Sequence, residues 1–253
     1  YISFAERIGR KIVTVTRKMD ESGKFSLPEI AEIEKSIQEY KPGALLVIPY
    51  DNPTGQYYEF ETMKALAELC VKYNMWLASD EAYRELVYKA DTKMVSIWGI
   101  TDAEVPGIEG RRISIETASK VWNACGLRIG GLITDNEEYY TRSVAEYTAN
   151  LCANAIGQYI FGALAHQTKE ELAQWTKGLR EYYYEQILKV YNGLKALEPG
   201  LIVSSPDASI YSVIDVRNVV KPGFDANAFV LYCAGEGAVD INGVQTTLLC
   251  APM

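Results

Sequence analysis

Two short apolar runs joined by one amphipathic helix, within residues 44–80, limit this chain more than any other feature of it. Ala44-Leu45-Leu46-Val47-Ile48-Pro49 has the length and content of a buried strand and empties into Asn52-Pro53-Thr54-Gly55, where Pro and Gly stop regular structure. Phe60, Met63, Ala67, Cys70 and Tyr73 then recur every three to four residues between Glu59 and Tyr73, which predicts a helix with one apolar face. Met75-Trp76-Leu77-Ala78-Ser79 reads as a second strand and ends in Asp80-Glu81-Ala82-Tyr83. Strand, helix and strand in that order make a right-handed crossover with parallel strands, so Asn52 and Asp80 should leave the same edge of one sheet. In open α/β sheets that edge is where ligands sit. Each motif also has a plainer use, since Asn-Pro and Thr-Gly make turns and an acid after a strand often caps a helix.

A third motif extends the pattern. Arg112-Ile113-Ser114-Ile115 leads into Glu116-Thr117-Ala118-Ser119-Lys120, and Arg128 precedes the apolar run Ile129 to Ile133. Surface lysines usually ride on exposed helix faces, whereas Lys120 follows a strand among small residues that let a bulky group approach the backbone. A buried lysine loses its proton readily and can form a Schiff base with a carbonyl. Thr117, Ser119 and Arg128 could donate to a phosphate, Arg128 through a forked, permanent cation. Asn52, Asp80, Lys120 and Arg128 together describe a pocket for an anionic, aromatic, carbonyl-bearing group, although Lys120 alone would also pass as structural.

In this order the motifs resemble the class I/II, fold-type I aminotransferases that use pyridoxal phosphate, of the aspartate aminotransferase kind. The resemblance rests on Asn52-Pro53-Thr54-Gly55, Asp80-x-x-Tyr83, Ser119-Lys120 and Arg128, with Gly126-Leu127-Arg128-Ile129-Gly130 similar to the family's Gly-x-Arg-x-Gly segment. It covers nearly the whole chain and is weakest after about Asn192. It implies that Lys120 holds the cofactor as a Schiff base and that Asp80 pairs with its protonated pyridine nitrogen. It further implies that Asn52 and the Tyr83 hydroxyl bond the ring oxygen O3′. Arg128 and Thr117, with Ser119 less firmly, would bind the phosphate. The catalytic set is then Lys120, Asp80 and Tyr83, and the substrates are an amino acid and a 2-oxo acid in a ping-pong exchange. C–S lyases and decarboxylases share the frame, as do non-catalytic regulators that only bind the cofactor, so these remain alternatives. Family members are usually homodimers, so a homodimer is expected by analogy.

The family pattern also predicts pieces outside this chain: a phosphate-cradling loop and a ring-stacking aromatic upstream of Tyr1, and a carboxylate-gripping arginine downstream of Met253. Tyr1 is not an initiator Met and Leu248-Leu249-Cys250-Ala251-Pro252-Met253 stops after an apolar run, so both ends read as cut. The expectation is a fragment of a longer enzyme that does not turn over by itself.

Composition narrows the class further. With 253 residues, 48% of them hydrophobic, there is material for one sizeable core and a smaller domain. A net charge of −8 argues against nucleic acid, which needs a basic patch. No apolar stretch approaches the roughly 20 residues that span a bilayer. Five cysteines, an odd number and never in Cys-x-x-Cys spacing, suggest reduced thiols in a cytoplasmic protein. Cys125 reads as a small space-filler rather than a nucleophile. His166 is the only histidine, which weighs against a Ser-His-Asp hydrolase or a multi-His metal site, and no metal is expected.

The predicted architecture is α/β: a mainly parallel sheet flanked by helices over residues 1–165, a connecting helix over 166–195, and a partial small α+β domain over 196–253. A helix from Leu27-Pro28 to about Glu39 should turn Ile30, Ile33 and Ile37 to the core. Residues 85–110 read as including a surface loop, and 137–192 as helical with interruptions at Gly157 and Gly162. Tyr182-Tyr183-Tyr184 are expected to pack rather than stack on a ligand. Ile210 to Val216 alternates like a half-buried strand, a helix is expected from Ala226 to about Ala234, and a strand at Val239-Asp240-Ile241.

Overall fold

A computed structural model describes residues 1–89 and 95–252 of the chain. They form two compact units, Tyr1–Ile214 and Asp215–Met253. The first opens with α1 (Ile2–Arg7), a small hairpin of β1 (Lys18–Met19) and β2 (Phe25–Ser26), and α2 (Ile30–Tyr40). A four-stranded sheet follows in the order β3 (Ala44–Val47), β4 (Trp76–Asp80), β5 (Arg112–Thr117), β6 (Gly130–Thr134), with α3 (Phe60–Lys72) between β3 and β4. The first three strands run parallel, Ala44 opposite Trp76 and Leu77 opposite Arg112, while β6 returns antiparallel with Thr117 opposite Gly130. The mainly parallel α/β sheet expected from the strand pattern is therefore observed, and β3, α3 and β4 form the crossover unit read from their periodicity.

The core joins α2, α3, the sheet and the turns between them. Ile33 and Ile37 of α2, Met63, Leu66, Ala67, Leu69 and Cys70 of α3, and Leu77 of β4 are buried together with Tyr50, Tyr57 and Tyr58. Residues 95–108 are only in part the surface loop expected, with Asp102, Ala103, Pro106 and Gly107 exposed. They are largely irregular, with one short 3-10 turn at Ile97–Gly99, yet Val95, Ile97, Ile100, Val105 and Ile108 all join the same core. Burying an isoleucine stabilises by about 1.5–3 kcal/mol, against roughly 1–2 kcal/mol to fix one residue's backbone. A segment with an isoleucine every few positions can thus be ordered without a regular hydrogen-bond ladder. Residues 90–94 of the expected loop lie outside the described residues.

Beyond the sheet come α4 (Glu137–Thr148), α5 (Ala155–Gly162) and α6 (Lys169–Leu197). The main break in the helical stretch falls at residues 149–154 and not at Gly157, which sits inside α5. There a Cβ would lie 2.8 Å from the Leu127 carbonyl oxygen, so the missing side chain serves close packing. α6 spans 29 residues, a rod of roughly 44 Å. Its start is fixed by a capping box in which Thr168 Oγ1 accepts from Glu171 N–H and Glu171 accepts from Thr168 N–H. Strand β7 (Ile202–Val203) follows α6, and β8 (Ile214–Asp215) straddles the boundary between units. Only Ile214 and Asp215 of the predicted 210–216 strand are extended in a ladder.

The second unit contains α7 (Ala226–Gly235) and a hairpin of β9 (Val239–Ile241) and β10 (Val244–Thr246). Asp225 caps α7 by accepting from Asn227 and Ala228 N–H. Asn242-Gly243 turns the hairpin with φ of 55° and 82°, the pair that a two-residue turn of this hand requires. Among the described residues no helix is long and apolar enough to cross a membrane, and no cluster of His, Cys, Asp or Glu could hold a metal ion. All five cysteines are free.

Candidate functional site

Parallel strands bring their C-terminal ends to one edge, and that edge collects the motif residues. β3 exits through Ile48-Pro49-Tyr50-Asp51 to Asn52, β4 ends on Asp80, and β5 runs through Thr117 to Lys120. Because β6 is antiparallel to β5, Arg128 enters it from the same edge. Gly130 is needed at that entrance, since a Cβ would stand 2.7 Å from the Glu116 carbonyl oxygen.

The Asn52 turn is shaped by Asp51, whose fully buried carboxylate accepts from Thr54 N–H at 3.2 Å and from the Thr54 hydroxyl, and meets Arg17 Nη2 at 2.8 Å. Gly55 closes the turn with φ of 70°, and a Cβ there would come within 2.3 Å of Pro206. Asn52 itself is exposed, and its Nδ2 donates to the Tyr211 hydroxyl at 3.2 Å.

Asp80 keeps one oxygen for local work, accepting from Ala82 N–H at 3.1 Å, while the other accepts from the Tyr1 hydroxyl. Burial first, and then the bond and charge of Asp80, push the Tyr1 phenol well above its ordinary range. Tyr83 is buried and hydrogen-bonds Tyr211 hydroxyl to hydroxyl at 2.5 Å. Burial, the Tyr211 bond and the negative charge of Asp80 raise Tyr83 far above an ordinary phenol, with Asn52 opposing weakly, so Tyr83 stays protonated.

Lys120 Nζ lies 5.9 Å from the centre of the Tyr83 ring, within reach of a cation–π attraction. In its loop Thr117 Oγ1 donates to Ser119 Oγ at 2.8 Å and accepts from Ser119 N–H at 3.1 Å. The loop rests on α6, where Trp175 Nε1 donates to the Val121 carbonyl at 3.1 Å and the Tyr183 hydroxyl to Asn123 Oδ1 at 3.2 Å. Arg128, exposed and with φ of 54°, turns Nη1 back to the Cys125 carbonyl at 2.8 Å. Cys125 is exposed and so is not the space-filler expected of it.

The structure thus brings Asn52, Tyr83 and Lys120 around one spot, with Asp80 beside Tyr83, and leaves Thr117, Ser119 and Arg128 bonded within their own loop. Three contributors had no sequence signal as site residues. Tyr211 looked like part of an alternating strand, Tyr1 belongs to no motif, and Trp175 is one aromatic on a long helix. Of the tyrosine run only Tyr183 packs against the core as expected; Tyr184 stacks on Tyr88 at 5.4 Å while remaining exposed, and Tyr182 is exposed too. Chemically the edge offers an anion, two neutral donors, an amine and a forked cation, with Asp80 and Tyr83 sharing one strand exit.

Known proteins resemble this chain in sequence and in fold. The profile of the family described as "Aminotransferase class I and II" covers residues 1–243. A probable aspartate aminotransferase of Methanocaldococcus jannaschii is 31% identical over 85% of this chain and 53% of its own length. A probable aspartate/prephenate aminotransferase of Aquifex aeolicus is 27% identical over 83% of this chain and 51% of its own. Among solved structures, cystalysin of Treponema denticola, which contains a pyridoxal 5′-phosphate cofactor, superposes with a TM-score of 0.78 at 18% identity, over 93% of this chain and 57% of that one. That likeness concerns the fold. The chain spans about half the length of the curated relatives it matches. With the motif order, the sheet and the profile in agreement over nearly its whole length, this chain belongs to the aminotransferase class I and II family.

Proposed function

We propose that the protein containing this chain is a pyridoxal-phosphate-dependent aminotransferase that moves an amino group between an amino acid and a 2-oxo acid. The observation carrying this reading is the convergence of an amine, a carboxylate and two neutral donors, Lys120, Asp80, Asn52 and Tyr83, from the exits of three neighbouring strands. The donor set fits the cofactor. Asn52 and Tyr83 already converge on one oxygen, that of Tyr211, and Asp80 already accepts a proton-bearing group.

Bound pyridoxal phosphate would supply an aldehyde for a lysine amine and a conjugated ring able to delocalise the electrons left when an amino acid loses its Cα proton. Asp80 would keep the ring nitrogen protonated, because a carboxylate beside it favours the charged form. Asn52 and Tyr83 would donate to the ring oxygen, and Arg128, Thr117 and Ser119 would hold the phosphate. Lys120, released when the amino acid takes its place, would remove the proton from Cα and return it to the carbon that had carried the aldehyde, acting as base and then acid. The same reading extends to a homodimer and, from five free cysteines, to a cytoplasmic setting.

The test uses the full-length protein. Borohydride reduction in the presence of pyridoxal phosphate should leave the cofactor covalently on the peptide bearing Lys120, and a labelled amino group should pass from an amino acid to a 2-oxo acid. Label on another lysine overturns the site assignment. Release of ammonia or pyruvate without transfer overturns the aminotransferase reading in favour of a lyase.

A further inference from the structure

Tyr211 lies outside every motif that marks the site, yet its hydroxyl is where two of them meet. Asn52 donates to it at 3.2 Å and Tyr83 bonds it at 2.5 Å, so one oxygen links the two motif side chains. The backbone that carries Tyr211 is fixed to both motif loops. Asp207 and Ala208 N–H both donate to the Gly55 carbonyl at 3.0 Å. Ser209, at φ of 61°, donates its N–H to the Leu86 carbonyl at 2.8 Å and its hydroxyl to the Asp51 carbonyl at 3.0 Å, while the Tyr88 hydroxyl donates to the Ser209 carbonyl. The Tyr83 and Tyr211 rings meet edge to face at 5.5 Å, a contact that does not depend on the hydroxyl.

We propose that Tyr211 is a positioning residue for the cofactor's ring oxygen: its hydroxyl ties the Asn52 amide to the Tyr83 phenol, so that both donors face one acceptor and favour that oxygen's anionic form. The proposal rests on the cofactor reading above. The physical reason is preorganisation. An untethered Asn on an exposed turn loses rotamer freedom when it binds, and a tethered one has already lost it. The hydroxyl of Tyr211 has two lone pairs and one proton, so it can accept from Asn52 and still donate to Tyr83, whose own proton then remains available.

Tyr211→Phe removes the oxygen and keeps the ring. In the full-length protein titrated with pyridoxal phosphate, the dissociation constant should rise about tenfold, the loss of roughly one well-placed hydrogen bond. The pH midpoint of the bound cofactor's visible absorbance should also move upward, because weaker donors favour the anion less. A merely structural role would lower occupancy without moving that midpoint. In a Tyr83→Phe background the midpoint shift from Tyr211→Phe should be at most half as large, as coupled residues are not additive. If Tyr211→Phe fails to fold, 3-fluorotyrosine in place of Tyr211 keeps the shape, strengthens the donor and should move the midpoint down. An unchanged midpoint in either variant, or a full shift that persists without the Tyr83 hydroxyl, overturns the proposal while the wild type still binds. A wild type that takes up no cofactor overturns the functional reading, and this proposal with it.

Discussion

The two halves of the candidate site are built in opposite ways. The half carrying Asn52, Asp80 and Tyr83 is held by distant chain: Arg17 on Asp51, Tyr211 on Asn52 and Tyr83, and Glu81 at the centre of a buried network. Glu81 meets Arg84 Nη1 at 2.5 Å, accepts from the Ser96 hydroxyl at 2.7 Å and accepts from Ile97 N–H at 2.8 Å, and Arg84 reaches on to Glu116 at 2.8 Å. The half carrying Thr117, Ser119, Lys120 and Arg128 bonds mainly within itself and rests on helices through Trp175, Tyr183 and Asn154. The first half is locked because the carboxylates beneath it, Asp51 and Glu81, are desolvated and must be satisfied, even though Asn52 itself is exposed. The second stays near water, and its side chains are open to a ligand. Stability and binding should therefore separate across the site.

The largest test of that separation is Glu81→Ala. Removing its carboxylate leaves the Ile97 N–H and the Ser96 hydroxyl without their acceptor, and Arg84 with Glu116 alone, so the variant should lose about 2–4 kcal/mol of unfolding free energy in a denaturant titration. Glu81→Gln should lose less, because its amide oxygen can still accept from Ile97 N–H. A loss below about 1 kcal/mol for the alanine variant would mean that the network is not holding this half.

Alkaline pH probes the same half. Burial raises the phenols of Tyr50, Tyr58 and Tyr83 above the ordinary value of 10.0, and pushes Tyr57 up to about 12. In the unfolded chain these groups ionise near 10, so the unfolded state loses protons first. The stability tied to their burial is intact below that pH and is lost as pH rises toward 12. Circular dichroism across this range should show cooperative unfolding beginning above about pH 10.

What the sequence could disclose follows from the range of the interactions. Asn52 and Asp80 share an edge because two strands and one helix, all periodic and contiguous, leave a single sensible pairing. Lys120 and Arg128 were legible through the apolar runs that flank them, though not the antiparallel return that puts them at one edge. Residues 95–108 hid their place in the core because an irregular segment has no period to read. Gly157 looked like a breaker, since close approach to the Leu127 carbonyl is invisible until the fold is known. Tyr211 was illegible for the same reason in its strongest form, as both of its partners lie more than a hundred positions away in the chain.

The smallest expected change in stability belongs to the second half and is the most informative about binding. Arg128 is exposed and bonds only a carbonyl of its own loop in the contacts described, so Arg128→Ala should alter unfolding free energy by no more than about 0.5 kcal/mol. On the proposed function the same substitution removes a charge-assisted donor to the cofactor's phosphate, and affinity for pyridoxal phosphate should fall about ten- to hundredfold. Inorganic phosphate should compete with the cofactor in the wild type and do so poorly in the variant. Arg128→Lys should restore part of the affinity through its charge, but not all, because an ammonium lacks the forked geometry. Should Arg128→Ala instead unfold the protein while binding persists in what remains folded, the contrast between a locked half and an open half would be reversed.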